Sequence, residues 1–393
     1  MTGVQTCALP ILQQLFPSAK LGFAPRWVNF ANGTTSNLNL PFITEHIHTP
    51  LTRQYNLTFQ YEFIPKWVLE VGFVGSSGIN QTDYGHNVNA AYLASPTHPI
   101  WGITNNTVQN ANLRVPYLGY AATGLQVTAF DGIYNYNSLQ ATVRKQFSHG
   151  VTFQAAYTYS KNLTDLAGYG ANYNLPTDLS QQYGPSTFNR PQRLAVNYSY
   201  DLPFSSKGAL GKAIGGWTIS GLTVIQDGVP LTITDTRAGS IYGVSGGSPT
   251  NPGIPGSNVV GRAQLCPGAT YDTIGSPGGV ESRLGGISGP GYFATGSFCA
   301  PPTIGNGFDY GNSGIGIITG PSQFNWDFSV VKMTRVGGLR ENATLQFRAE
   351  AFNAFNHPQF NNPNVSVTNA VFGQITSTVV NPRLIQFALK YVF

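Results

Sequence analysis

Between Ser138 and Ser160 the chain reads SLQATVRKQFSHGVTFQAAYTYS, with apolar and polar residues alternating on both sides of a short break. Leu139, Ala141, Val143 and Phe147 precede Ser148-His149-Gly150; Val151, Phe153, Ala155, Tyr157 and Tyr159 follow it. The intervening positions, among them Gln140, Thr142, Arg144 and Gln154, are polar. Successive side chains of a strand point to opposite faces, so period two predicts two strands, each with one apolar face. A break of this length closes a hairpin. The same alternation recurs in YNLTFQYEF (55–63), LAVNYSY (194–200), FNWDFSV (324–330), ATLQFRAEA (343–351) and LIQFALKYVF (384–393). Weaker candidates lie near 21–30, 66–75 and 215–228, and helical periodicity is nowhere sustained. The chain is therefore predicted to be all-β, with about ten antiparallel strands of roughly 9 to 11 residues, the length that crosses a bilayer at a tilt.

The connections alternate in length. Short ones fall at Ile64-Pro65, Ser148–Gly150, Leu202–Gly216 and Val336–Asn342; long ones span about 31–53, 77–134, 163–189, 229–322 and 356–382. A soluble sandwich has no need of that asymmetry. A transmembrane β-barrel has it by construction, with short turns in the periplasm and long loops outside. The apolar string then faces lipid: Leu139, Val143, Phe153, Tyr157, Leu345, Phe347, Phe387 and Leu389. The polar string faces a lumen: Gln140, Arg144, Gln154, Gln346, Arg348 and Glu350. Trp67, Trp217 and Tyr391, near strand ends, fit an interfacial aromatic girdle. The long loops, rich in Gly, Pro, Asn, Ser and Thr, are expected to be irregular surface structure without a buried core.

Composition supports a chain that hides much of its surface from water. Only 9% of its 393 residues are charged, against roughly 25% in ordinary soluble domains. Aromatics make up 12% and glycines number 46. The net charge of +5 is scattered, with no basic run, so no nucleic-acid partner is expected. No window holds the 18 or so apolar residues of a membrane-spanning helix.

Several blocks, in order, resemble the barrel of Oar-like TonB-dependent receptors: YNSLQATVRKQFSHGVTFQAAYTYSKNL, FNRPQRLAVNYSYDLPF, GGWTISGLTVIQDGVPLTIT, LQFRAEAFNAFNHPQFNNP, FGQITST and NPRLIQFALKYVF. The resemblance covers most of the chain from about residue 54. It implies a portion, about ten strands, of a barrel of about twenty-two strands. It further implies a plug, a regulatory-like domain and a TonB-contacting segment in a missing N-terminal part, and energised uptake of an unidentified solute at the bacterial outer membrane. The terminal Tyr391-Val392-Phe393 resembles the aromatic signal read by the barrel-assembly machinery. The alternative function is a structural or adhesive surface protein whose long loops bind partners.

Chemistry adds little. His46 and His48 have no acidic or cysteine neighbour to complete a metal site, and no catalytic grouping stands out, so neither a cofactor nor an enzymatic activity is expected. Cys266 and Cys299 share the longest loop. Outside the cell no thiol system keeps them reduced, so they are expected to form a disulfide in preference to free thiols or a metal site. The opening MTGVQTCALPI (1–11) matches one reading frame of a short-read sequencing adapter and is read as non-native, leaving 12–393 as a partial receptor barrel.

Overall fold

The computed structural model describes residues 38–44, 47–107, 109–118, 120–166, 179–204, 208–237, 261–275, 291–336 and 343–392. The segment 1–11, the weak strand candidate at 21–30, His46, most of the turn after Val336 and the terminal Phe393 lie outside them. In chain order the strands are β1 (Leu38–Ile43), β2 (Leu51–Ile64), β3 (Trp67–Asn87), β4 (Tyr120–Ser148), β5 (Val151–Thr164), the two-residue β6 (Gly184–Pro185), β7 (Gln192–Asp201) and β8 (Trp217–Gln226). Six more two-residue strands follow: β9 (Pro230–Leu231), β10 (Gln264–Leu265), β11 (Phe298–Cys299), β12 (Thr303–Ile304), β13 (Gly307–Phe308) and β14 (Ile318–Thr319). The chain closes with β15 (Gln323–Arg335), β16 (Thr344–Phe352) and β17 (Leu384–Val392).

The long strands form one sheet in the order β17-β16-β15-β8-β7-β5-β4-β3-β2. All its neighbours pair antiparallel. Each strand predicted with alternating polarity takes its place there, except the candidate outside the described residues. β1 runs parallel to the first part of β4, and β6 pairs antiparallel with the end of β5. Among the described residues β2 and β17 are the two edges and do not pair with each other, so the sheet is open.

Two expectations about the long connections require correction. The stretch 77–134 is only partly loop: β3 runs on to Asn87 and β4 begins at Tyr120, so strand takes up nearly half of it. At about 3.3 Å per residue β4 runs to roughly 95 Å, far more than a bilayer requires. Its pairing with β3 continues past register shifts between Gly78 and His86 to Asn87↔Gln126. The outer part, SGINQTDYGHN, is polar on both faces, so it carries no hydrophobic period although its backbone remains laddered.

The second correction is that the loops 229–322 and 356–382 possess a core. Leu231, Ile233, Ala263, Ile274, Tyr292, Phe293, Phe298 and Ile318 are buried together, with Val365, Val367, Phe372 and Ile375 packed against them. Phe293, Phe298 and Phe372 meet edge to face, with centroids 5.2 to 5.9 Å apart, a geometry in which ring edges meet ring faces favourably. Backbone pairing stitches the segments together: β9 with β14, β10 with β11, and Thr234 alongside Ser366. Each segment is too short to show a period of its own. Only their convergence makes an interior.

Candidate functional site

The register carries one apolar surface across the sheet. Residues directly opposite in antiparallel strands share a face. Phe59, Val71, Ala141, Tyr157, Leu194, Ile225 and Phe324 follow one another across seven strands in this way. Val143 lies opposite Leu69 and Ala155, Phe153 opposite Lys145 and Tyr198, and Leu139 opposite Phe73 and Tyr159. On the other flank Leu345 faces Tyr391, Phe347 faces Leu389 and Ala349 faces Phe387. The surface is not covered by protein: Phe387 is 70% exposed, Leu389 68% and Phe59 68%. An exposed apolar expanse of this continuity marks an interaction surface.

At the short-turn end the apolar face is bounded by two tryptophan–lysine pairs. Lys145 lies over the Trp67 ring, 6.0 Å from its centroid, and Lys332 over the Trp217 ring at 4.7 Å. The ammonium groups bend toward the turns. Lys145 Nζ donates to Ser148 O (2.8 Å), Ser148 Oγ (3.1 Å) and Val151 O (3.0 Å). Lys332 Nζ donates to Ala213 O (2.8 Å) and Gly215 O (3.0 Å). The stems stay on the apolar face while the charges leave it, which is snorkelling. At the other end Asn137 and Lys161 are the first polar pair on this face. The apolar belt thus has two polar limits. Sequence reading found the tryptophans but missed the lysines, whose strand position looked ordinary.

The opposite face is polar in the same continuous way. Thr58, Gly72, Gln140, Thr158, Arg193, Gln226 and Gln323 make one row. Arg144 and Gln154 sit opposite each other in the next. Arg348 Nη1 lies 3.4 Å from Glu350 Oε1, and Gln386 donates to the other Glu350 oxygen. Gln346 faces Lys390 and Met333. These groups line a wall; among the described residues no group of three or more His, Cys, Asp or Glu side chains could hold a metal ion.

The loop core forms a cap at the far end of the sheet. Cys266 and Cys299 are joined there by a disulfide, with Cα atoms 5.0 Å apart. Asp235 is fully buried and held by the Arg237 guanidinium. Other loops dock on the cap. The Asn106 backbone N–H donates to Asn306 Oδ1 at 2.7 Å, and Asn306 Nδ2 donates to Asn106 O at 3.0 Å. Arg262 Nη2 donates to Gln181 Oε1 at 3.3 Å. Just beyond β5, burial pushes the Asp165 carboxyl above its ordinary range; a bond from the Ile133 N–H opposes this, while Asp83 and Asp131 reinforce it.

Comparison with known proteins follows the same lines. The family model for the outer membrane beta barrel domain matches residues 2–386. No curated protein matches the chain. Among solved structures, the chain is similar to the outer membrane transporter YddB from Escherichia coli, with 11% identity and a TM-score of 0.41, over 91% of this chain and 34% of that one. It is similar to P. aeruginosa FpvA at 12% identity and a TM-score of 0.38, over 86% of this chain and 26% of that one. BauA, the ferric preacinetobactin receptor from Acinetobacter baumannii, aligns at 9% identity and a TM-score of 0.37, over 86% and 29%. The chain spans about a third or less of the length of these proteins.

Proposed function

This chain belongs to the outer membrane beta barrel domain family and acts at the bacterial outer membrane, and from that premise we propose that it is the barrel portion of an Oar-like TonB-dependent receptor that imports an unidentified solute. The observation that carries the reading is the two-sided sheet, whose end strands β2 and β17 do not pair with each other among the described residues. An apolar face from β2 to β17 suits lipid, and a polar face of Gln140, Arg144, Gln154, Gln346, Arg348 and Glu350 suits a lumen. A spanning sheet cannot leave backbone groups unpaired in hydrocarbon. The edges at β2 and β17 therefore call for further strands, which a larger barrel supplies. In this reading Leu139, Val143, Phe153, Tyr157, Leu345, Phe347, Phe387 and Leu389 meet lipid, the short turns lie in the periplasm and the cap lies outside. Assembly would use Tyr391 and Phe393 as the barrel-assembly signal, TonB would engage through an N-terminal part, and the protein would perform no enzymatic reaction.

The test is genetic. A deletion of the complete gene and a deletion of TonB should give the same growth defect on a nutrient panel, with no added defect in the double mutant. A defect of the gene deletion that persists unchanged with uncoupled TonB, in surface attachment instead of growth, would favour the adhesive alternative. The disulfide-linked cap is the observation that favours that second reading, since a rigid outer surface also suits partner binding.

A further inference from the structure

Within the cap, the segment from Asp309 to Gly314 packs its backbone against the run 261–265. Ser313 N–H donates to Ala263 O at 3.0 Å, and Leu265 N–H donates to Asn312 Oδ1 at 2.9 Å. A Cβ on Gly311 would fall 2.3 Å from Arg262 O and from the Ala263 carbonyl carbon, so only glycine allows the approach. Beside this contact, reaching to Gln181, lies a cleft of about 430 Å³, within the range of small-molecule sites, roughly 300 to 1,000 Å³. Gln181 and Asn312 stand exposed at its rim, and Asp309 is half-buried on its wall. Arg262, Tyr310 and Ser313 are buried within it.

The chemistry of the cleft indicates its occupant. Ser313 is 2% exposed, and its Oγ has no hydrogen-bond partner among the described residues. An unmet buried hydroxyl is costly, and on the wall of a cleft it is a ready donor and acceptor for whatever enters. Burial, and then the Asp309 carboxylate, push the Tyr310 phenol well above its ordinary range, so it stays a protonated hydroxyl. Arg262 only donates and Asp309 only accepts, whereas the amides of Gln181 and Asn312 and the hydroxyls of Tyr310 and Ser313 do both. Among the described lining residues the two charges are opposite, so they select no ion. A sulfate, which only accepts, would bring its charge against Asp309. Adjacent hydroxyls, each donor and acceptor at once, match the set. An aromatic ring stands beside the mouth. Tyr271 opens the helical turn Tyr271–Ile274 and is 56% exposed. A Cβ on Gly314, which lines the cleft, would fall 3.0 Å from the Tyr271 hydroxyl and 3.7 Å from the ring carbon that bears it. Such a ring offers an apolar face to the C–H side of a sugar ring and keeps its polar tip at the edge.

We propose that this cleft of the cap binds a neutral saccharide, with ring hydroxyls on Ser313, Asp309 and Arg262 and the apolar face of a sugar ring on Tyr271. The site goes beyond uptake: it serves a barrel that imports and a barrel that anchors alike, so its failure would leave the TonB comparison standing. The full-length protein, purified in dodecyldimethylamine oxide, a detergent without a sugar head, is titrated with methyl glucoside, methyl galactoside, methyl mannoside, sulfate or trialanine and read by saturation-transfer NMR. At least one hexoside should receive saturation and bind more tightly than sulfate or trialanine. Tyr271→Ala and Ser313→Ala should each weaken that hexoside about threefold, and the double variant about tenfold, the size expected for one ring contact and one neutral hydrogen bond. Tyr271→Phe should retain binding, and the heat-modifiable band of each variant confirms that it is folded. Should Ser313→Ala fail to fold, Tyr271→Ala carries the test alone, since its ring is exposed. No transfer to any hexoside, tighter binding of sulfate or trialanine, or unchanged hexoside affinity in folded Tyr271→Ala would overturn the proposal.

Discussion

Two adjacent residues of β4 provide the sharpest test of the two-faced sheet. Val143 lies on the apolar face opposite Leu69 and Ala155, and Thr142 lies on the polar face opposite Glu70 and Ala156. The depth of Val143 follows from the limits of the belt. Toward the turns Lys145 marks one boundary, with Nζ on Ser148 and Val151. Toward the cap the Asn137–Lys161 pair marks the other. In a strand tilted by about 40° each residue advances roughly 2.5 Å along the membrane normal, so Val143 lies roughly 5 Å inside the lysine row and Leu139 roughly 10 Å further out. Because Lys145 already occupies the nearby turn acceptors, an arginine at 143 has no easy escape from hydrocarbon. Val143→Arg and Leu139→Arg, each roughly 5 Å inside one boundary of the belt, should therefore cost similar amounts, about 1 to 3 kcal/mol. Thr142→Arg adds a charge to a wall that already carries Arg144, and should cost little beyond local repulsion. The assay is urea unfolding from phosphatidylcholine vesicles, followed by tryptophan fluorescence, for the three variants and wild type. Equal destabilisation by Val143→Arg and Thr142→Arg would refute the assignment of faces. A cost at 143 several-fold different from that at 139 would refute the depth scale.

Three further outcomes are expected. Replacing Cys266 and Cys299 by serine should loosen the cap by about 3 to 4 kcal/mol on the chain-entropy model for a separation of 33 residues; limited proteolysis should then cut the loops 229–322 while leaving the strands intact. Phe293→Ala removes the ring shared by the aromatic trio and should cost the cap about 3 to 5 kcal/mol, with hydrogen exchange rising at Tyr292–Phe298 and unchanged in β4 and β5. Burial first, then Asp83 and Asp131, raise the Asp165 carboxyl, so between the unfolded and folded pKa values the native state holds more protons and stability falls as pH rises. Asp165→Asn keeps an acceptor for the Ile133 N–H, and should stabilise the top of β5 at neutral pH and remove that dependence; an unchanged pH profile in the variant would refute the cause.

The sequence by itself determined the strands and their two faces. Alternation such as LQFRAEA exists because one side of a strand meets an apolar medium and the other does not, and this local requirement is written residue by residue. The same logic explains where it fell silent. The outer part of β3, SGINQTDYGHN, is polar on both faces, so it carries no period although its backbone remains paired. The snorkelling of Lys145 and Lys332 was equally illegible, because the carbonyls that receive them belong to turns and to the connection from β7 to β8. Only the tertiary structure decided the cap. Leu231, Phe293 and Phe372 come from segments that each look like glycine-rich loop, and their shared interior arises from long-range convergence, which has no local signature. The openness of the sheet among the described residues was decided at the same level: strand polarity separates an apolar face from a polar one, whereas closure depends on which strands pair with β2 and β17.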